Sequence, residues 1–248
     1  MSQEKRELIS IEDLFKETFD IFSKGIEPFL VIQAIVFGIT FGVVILSIAL
    51  IVIVLAFDFF LVALLSEYEE IMAILIMTTI VLASTIGTLI FIITIILPSI
   101  FGYASLVVAT QDVNQGIKRK VKEYFELAWD RRWEIIGLFL LTWLITMIGF
   151  IFLILPGIIL GFFLVFAPFI LVLEKKGIVD SIAESFRLVK NNFWEILLRL
   201  VVIYFAFMVV VIFSNFIPLA NIAINFLSSI FMVIYLYLLY KSVKRISN

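Results

Sequence analysis

The feature that most restricts the fold of this chain is a series of apolar segments that contain no charged side chain. Several of them exceed the roughly 18 residues that a helix needs to cross a bilayer. Of the 248 residues, 64% are hydrophobic, and the mean hydropathy is +1.23, whereas soluble domains are closer to half apolar. The sequence therefore predicts an all-α, polytopic membrane helix bundle.

The apolar segments are predicted to form six transmembrane helices in three repeats, each an interfacial amphipathic helix followed by a helical hairpin. The repeat units cover roughly 10–112, 113–175 and 176–246, within a single integral membrane domain, 1–248. The same order of elements recurs, which is typical of internal duplication. The first unit differs from the others because it contains an extended hairpin, 29–111.

The three amphipathic segments are 10–24, 118–132 and 178–191, and each directly precedes a span. Their apolar residues recur at helical spacing beside charged ones, which is typical of helices at the cytoplasmic membrane surface. For the first segment, packing against other protein is the alternative. Ser10 is predicted to cap this helix and Gly25 to end it. The predicted apolar face of the third comprises Ile178, Ile182, Ala183, Phe186 and Val189.

The turns of the three hairpins are assigned to prolines. Pro98, Pro156 and Pro218 occupy corresponding places, and Gly157 follows the second of them. Proline ends or bends a helix because it lacks a backbone N–H and its ring clashes with the preceding turn. Pro168 is therefore expected to bend the returning span of the second hairpin.

The first hairpin is too long for a simple crossing. Helices over 29–65 and 71–111 would extend about 55 and 60 Å, whereas the hydrocarbon core measures about 30 Å. Asp58 interrupts the first apolar run. The helices either tilt and kink, or project with Glu67, Glu69 and Glu70 at the tip; an extra pair of short spans is a third alternative. We expect 51–97 to be a surface for lipid or for self-association or another membrane protein.

The placement of charge predicts the orientation. No Lys or Arg occurs between Lys24 and Lys118, and the turns at Pro156 and Pro218 carry no charge. Six spans with both termini in the cytoplasm put all 18 bases on one side, as the positive-inside rule requires. The sequence thus predicts a multi-pass protein of the cytoplasmic membrane. The net charge of -2 gives no indication of nucleic-acid binding.

The composition excludes several classes of active site. There is no Cys and no His, so thiolate or imidazole metal sites and Ser-His-Asp triads cannot form. Asp58 and Asp112 lie at the ends of apolar runs, without the motif of a membrane aspartyl protease. We therefore expect no enzyme activity, no catalytic residue and no cofactor or metal.

Two sets of polar residues are candidates for a site inside the membrane. Asn221, Asn225 and Ser228 form a stripe at helical spacing on the last span; they could line a small cavity, or hydrogen-bond to neighbouring helices. Arg199 follows Glu195 by four residues, so the two could pair along one helix. A structural role for Arg199 is favoured over a ligand-binding one.

The 118–132 segment is basic, and Trp129, Trp133 and Trp194 suit the headgroup region. It is predicted to contact anionic lipid headgroups, with ordinary positive-inside topology as the alternative. The candidate headgroup contacts are Lys118, Arg119, Lys120 and Lys122.

The chain resembles a known group of membrane proteins. The resemblance is carried by Leu155-Pro156-Gly157, Ala167-Pro168, the segment 173–177, the segment 185–190 and Phe193-Trp194. The chain is similar to the membrane domain of some glycerophosphodiester phosphodiesterases and to the uncharacterised YciC-type membrane proteins. The resemblance implies a six-span fold with no established activity of its own. The sequence ends soon after the sixth span, so we expect no phosphodiesterase domain.

Two hypotheses for the function follow. The first is a non-catalytic membrane protein that organises lipid or partner proteins through its interfacial helices. The second is a transporter, channel or lipid-translocating protein with a polar site near Asn221 and Asn225, since internal repeats are common in transporters.

Overall fold

The computed structural model of the protein describes residues 8–64, 69–215 and 218–247. Within these ranges the side chains of 62–64, 69–73, 75, 86 and 218–222 lie outside the description. Helix is the only regular structure of the described part. Its ten helices are α1 Ile11–Lys24, α2 Ile26–Leu64, α3 Glu69–Gln115, α4 Val121–Asp130, α5 Arg132–Phe152, α6 Ile154–Phe163, α7 Ala167–Glu174, α8 Ile178–Asn191, α9 Phe193–Ser214 and α10 Pro218–Ser247.

Six segments of the described chain are long and apolar enough to cross a membrane. This confirms the predicted all-α bundle with six spans. The spans are Ile26–Leu61, Ile76–Gln115, Arg132–Phe152, Ile154–Glu174, Phe193–Ser214 and Ala223–Ser247.

The three amphipathic segments form α1, α4 and α8, within a few residues of the predicted bounds. Ser10 caps α1 as predicted, because its hydroxyl accepts a hydrogen bond from the Asp13 N–H at 3.0 Å. Gly25 ends the helix. An amphipathic helix precedes two spans three times along the chain, but the equivalence of the three units as repeats stays a prediction.

The chain divides into two compact units, the first of which comprises 1–33 and 100–248. Its core is built around the second half of α10, where eight consecutive residues, 233–240, are buried. Burial all round a helix requires neighbours on every side. The amphipathic helices α1 and α8 supply part of this cover, together with the last turns of α3 and helix α7.

The second unit comprises residues 34–99, whose described residues belong to α2 and α3. Successive side chains such as Ile51, Val52 and Ile53 are all exposed, so the apolar surface extends around the helix rather than along one face. Helix α2 runs through Asp58 without interruption. Each arm of this unit is about 46 Å long at 1.5 Å per residue, well above the roughly 30 Å of a hydrocarbon core.

Two of the proline assignments are wrong in position. Pro98 lies inside α3 instead of at a turn. A membrane helix tolerates proline because Ser and Thr hydroxyls can satisfy nearby carbonyls, and Ser99 donates to the Ile95 carbonyl at 2.7 Å. The second chain reversal occurs at the extended residue Leu153, whereas Pro156 lies in the first turn of α6. There its missing N–H removes no helical hydrogen bond.

Gly157 has a packing role at this reversal. A Cβ atom on Gly149 would lie 2.8 Å from the Gly157 Cα, and one on Gly157 would lie 2.5 Å from the Phe150 ring. The two glycines therefore let α5 and α6 approach closely. Pro218, the third predicted turn residue, is the first residue of α10, which agrees with a separation of the last two spans at this point.

Candidate functional site

The fourth span is broken near its middle. Helix α6 ends at Phe163 and α7 begins at Ala167, with Pro168 in the first turn of α7. Pro168 was expected to bend a continuous helix; it marks a full interruption instead, because a proline cannot donate to the preceding turn. Free backbone groups at such a break need partners in a membrane protein.

Ser185 of α8 supplies these partners. Its hydroxyl donates to the Phe163 carbonyl at 2.8 Å and accepts from the Phe166 N–H at 3.2 Å. Ser185 is completely buried. One side chain therefore bridges both sides of the break, and the rings of Phe163 and Phe186 stack beside it at 4.3 Å.

The buried face of α8 differs from the predicted apolar face. Ala183 and Phe186 are exposed, whereas the buried residues of the helix include three polar ones. Each of the three has a partner: Ser185 bonds backbone groups at the break in the fourth span, Glu184 bonds two lysines, and Ser181 bonds the Gly177 carbonyl at the start of its own helix. The buried residues of α8 are Ser181, Glu184, Ser185, Leu188 and Val189.

A cluster of charged side chains joins α7, α8 and α10. We call it the polar cluster, and it comprises Glu174, Lys176, Glu184, Tyr240 and Lys244. The Lys244 Nζ lies 2.7 Å from a Glu184 oxygen and also bonds Glu174. The Lys176 Nζ lies 3.0 Å from Glu174 and bonds Glu184. The Tyr240 hydroxyl donates to Glu174. Two acids and two bases thus neutralise each other in a partly buried position.

The polar cluster changes the acidity of its members. Burial favours the neutral form of Glu184, but the hydrogen bonds from Lys176 and Lys244 outweigh it, so the pKa of Glu184 lies below its ordinary value. The bonds to Glu184 and Glu174 raise the pKa of Lys176. Both side chains are therefore held in their charged forms.

Arg131 fixes the connection between α7 and α8 from another direction. Its guanidinium donates to the Leu171 carbonyl at 2.5 Å and to the Lys176 carbonyl at 3.1 Å. Leu171 lies in the last turn of α7, and the carbonyls of a last turn have no donor within their own helix. A cation at a helix C-terminus also interacts favourably with the helix dipole.

A cavity of about 450 Å³ opens beside the polar cluster. Two bases and two acids line it, so its lining carries no net charge. The lining residues are Lys176, Asp180, Ala183, Glu184 and Arg187. Among the described residues, no group of three acidic side chains is placed to hold a metal ion.

The predicted headgroup contacts separate into two kinds. Lys118 and Lys120 are exposed and form no ion pair with any described residue. The Arg119 Nε lies 2.8 Å from an oxygen of the buried Asp112 carboxylate. The two form an ion pair, but this oxygen accepts no hydrogen bond. Lys122 pairs with Glu126 at 3.1 Å on the helix surface. Of the four predicted contacts, Lys118 and Lys120 are thus the two whose charge is unpaired among the described residues.

Exposed tryptophans accompany this basic segment. Trp129 and Trp133 are exposed, and the Arg132 guanidinium lies 5.4 and 5.9 Å from their ring centres. Trp194, at the start of α9, is exposed as well. Such side chains combine an apolar ring with a polar edge, which suits the boundary between headgroups and acyl chains.

Arg199 ties down the start of the chain. Its guanidinium donates to the Ile9 carbonyl at 2.8 and 3.1 Å, and the Ile9 N–H donates to Ser242 at 3.0 Å. The contact with Glu195 is to its backbone carbonyl at 2.9 Å, so these two described side chains do not form the predicted ion pair. The structural role predicted for Arg199 agrees with these contacts.

The polar stripe on the last span stays a prediction. The side chain of Asn221 lies outside the described residues, Asn225 is exposed and Ser228 is half-buried. The neighbouring hydroxyl of Ser229 donates to the Phe226 carbonyl of its own helix at 2.8 Å. The stripe is separate in sequence from the polar cluster, which was not predicted because Tyr240 and Lys244 lie about 60 residues or more from their acidic partners in the sequence.

The fold and the polar cluster define a polytopic α-helical membrane protein in which partly buried charges join α7, α8 and α10. The chain belongs to the uncharacterised protein family UPF0259, whose sequence model matches residues 100–242. The match begins at residue 100, where the first structural unit resumes after the second unit, 34–99. The membership supports the expected likeness to uncharacterised membrane proteins; the likeness to phosphodiesterase membrane domains is not shown.

A curated relative is similar to part of the chain. It is a UPF0259 membrane protein of Buchnera aphidicola subsp. Baizongia pistaciae (strain Bp), 31% identical over 121 residues. The alignment covers 43% of this chain and 46% of the relative, so the chain spans about half the length of the curated relative it matches. No solved structure matches the chain.

Proposed function

We propose that this protein is a non-catalytic membrane protein that organises lipid at the cytoplasmic face of the cell membrane through its basic amphipathic segment. The observation that carries the proposal is the outer surface around α4. The buried Tyr124 and Ala128 fix this helix on the bundle, while free Lys118 and Lys120 and the exposed Trp129 face outward. Free cations and an exposed indole ring on the same segment suit anionic headgroups.

Removal of the two free charges tests this proposal. Each base near an anionic surface contributes about 1 kcal/mol, so K118Q/K120Q should lower retention of phosphatidylglycerol by up to about thirty-fold at low salt. Native mass spectrometry of protein released from nanodiscs of phosphatidylglycerol and phosphatidylcholine measures this retention.

The matched control is K16Q/K24Q. It removes two charges from α1, where each lysine pairs with an acid four residues earlier, at 2.6 and 2.5 Å. We expect this variant to retain phosphatidylglycerol almost as the unmodified protein does. An equal loss in both variants would contradict the proposal and leave only general positive-inside topology.

The orientation and the extended hairpin are part of the same proposal. We infer that both termini face the cytoplasm, because every base then lies on one side of the membrane. The segment 51–97 then contacts membrane lipid. Its apolar side chains are exposed in consecutive positions and thus on several sides of the helix. Lipid can cover all of these sides, whereas a partner protein would cover one face. Self-association through 51–97 is the alternative.

The broken fourth span supports a second candidate function, a transporter, channel or lipid-translocating protein. Interrupted helices commonly form the substrate site of transporters. At this break, however, Ser185 already occupies the free backbone groups. Substrate flux or lipid scrambling by purified protein in proteoliposomes would favour this candidate over the first.

A further inference from the structure

The carboxylate of Asp58 lies inside an apolar span. Asp58 belongs to α2, within the candidate span Ile26–Leu61. Only 5% of it is exposed, whereas the adjacent Phe57 and Phe59 are 55% and 77% exposed. Neighbours along a helix point to different sides. The carboxylate therefore points inward, while the flanking rings form the outer apolar surface.

The two oxygens of this carboxylate have no hydrogen-bond partner among the described residues. The surrounding unit, 34–99, contains no Lys, Arg or His in its sequence. Its other ionisable side chains are Glu67, Tyr68, Glu69 and Glu70, which lie outside the described side chains. An isolated carboxylate in apolar surroundings is costly and needs a compensating charge, and this unit has no basic side chain to supply one.

Asp112 provides a comparison within the same protein. It is 3% exposed, yet the Arg119 Nε lies 2.8 Å from its carboxylate. The buried Asp112 thus has a basic side chain of the same protein as its ion-pair partner. Asp58 lacks such a base, and ionisable residues inside spans usually mark sites for ions or protons.

We propose that Asp58 is a binding site for one monovalent cation taken from the medium, a proton or an alkali-metal ion. The shared chemistry is a single positive charge that neutralises the carboxylate. The site lies outside the region 100–242 that the family model matches. It is independent of the lipid contacts proposed for α4, because it uses neither the free lysines nor the amphipathic helices.

The test uses the full chain in nanodiscs and the apolar reagent dicyclohexylcarbodiimide. A protonated carboxyl adds across the carbodiimide: the carboxyl oxygen bonds to the central carbon, and the proton moves to a nitrogen. We expect Asp58 to be labelled in buffer without alkali ions and the label to be lost in D58N, as mapped by peptide mass spectrometry. Asp112 in the same sample should stay unlabelled.

The arms of the experiment distinguish the two cations. Protection of Asp58 by added sodium or potassium chloride, but not by choline chloride, identifies an alkali-metal ion; labelling that falls only as the pH rises identifies a proton. Infrared difference spectra on changes of pH and of sodium concentration give a readout that does not need access of the reagent. Absence of label on Asp58, together with identical spectra for D58N and the unmodified protein, would overturn the proposal.

Discussion

At the residue scale, single serine side chains supply hydrogen bonds to the backbone near two prolines of the spans. Ser185 satisfies a donor and an acceptor at the break in the fourth span, and Ser99 bonds a carbonyl just before Pro98. Buried polar backbone groups need such partners because no water is available inside a bilayer. The prolines could be identified from the sequence, but the serine that serves a break 19 to 22 residues away could not.

We predict that S185A destabilises the protein by about 1–3 kcal/mol, because it leaves a buried N–H and a carbonyl without their partner. The unfolding midpoint in detergent measures the effect. The control is S181A, on the same helix and equally buried. The Gly177 carbonyl that Ser181 bonds also accepts from the Ser181 N–H, so its loss should cost less than about 1 kcal/mol. Equal effects of the two variants would contradict the bridging role.

At the element scale, the polar cluster holds α7, α8 and α10 together. Its charges come from the end of α7, the connection between α7 and α8, the middle of α8 and the last turns of α10. Removing one partner of a partly buried ion pair lowers the free energy of unfolding by more than the intact pair contributes, because the other charge is left without compensation. The cluster therefore fixes how these three helices meet.

The pKa shifts predict how stability depends on pH. The pKa of Glu184 is lowered by its lysine partners, so its stabilisation is present above the unfolded value of about 4.3 and is lost as the pH falls through the lower folded value. The raised pKa of Lys176 has the opposite sign: its stabilisation is complete below about 10.4 and is lost as the pH rises through the folded value.

We expect the unfolding midpoint in detergent to fall once the pH drops below the pKa of Glu184 in the unfolded chain. In E184Q the midpoint should depend less on pH in this acidic range. The control is E12Q, because Glu12 forms an exposed pair with Lys16, and such pairs contribute little. If the midpoint of E184Q falls in acid as steeply as that of the unmodified protein, Glu184 is not the cause of the fall.

At the scale of the whole molecule, the proposed topology can be tested in a chain that contains no cysteine. We expect single cysteines at Ser2 and Ser247 to be shielded from an impermeant maleimide in intact cells, and one at Glu69 to be on the other side. Labelling of both termini from outside would refute the arrangement. Spin labels at Val52 and Met77, both exposed, should report bilayer interior if 51–97 contacts lipid; water-exposed positions would instead indicate a projecting hairpin.

The sequence by itself determined the class of protein, the six spans, and the three amphipathic helices with the cap at Ser10. These depend on local properties, since the length of an apolar run and the spacing along one helix can be counted directly. The free lysines of the basic segment were among the predicted contacts, but their pairing states were not predicted.

The tertiary structure decided where the chain reverses, which face of α8 is buried, and which charges meet in the polar cluster. The chain continues as a helix through Pro98, where Ser99 bonds the Ile95 carbonyl. It reverses at Leu153, where Gly149 and Gly157 allow α5 and α6 to pack closely. Asp58 was assigned to the end of an apolar run, whereas in the structure it lies within a continuous helix and is buried. Contacts between residues far apart in sequence leave no periodic pattern, so only the folded chain reveals them.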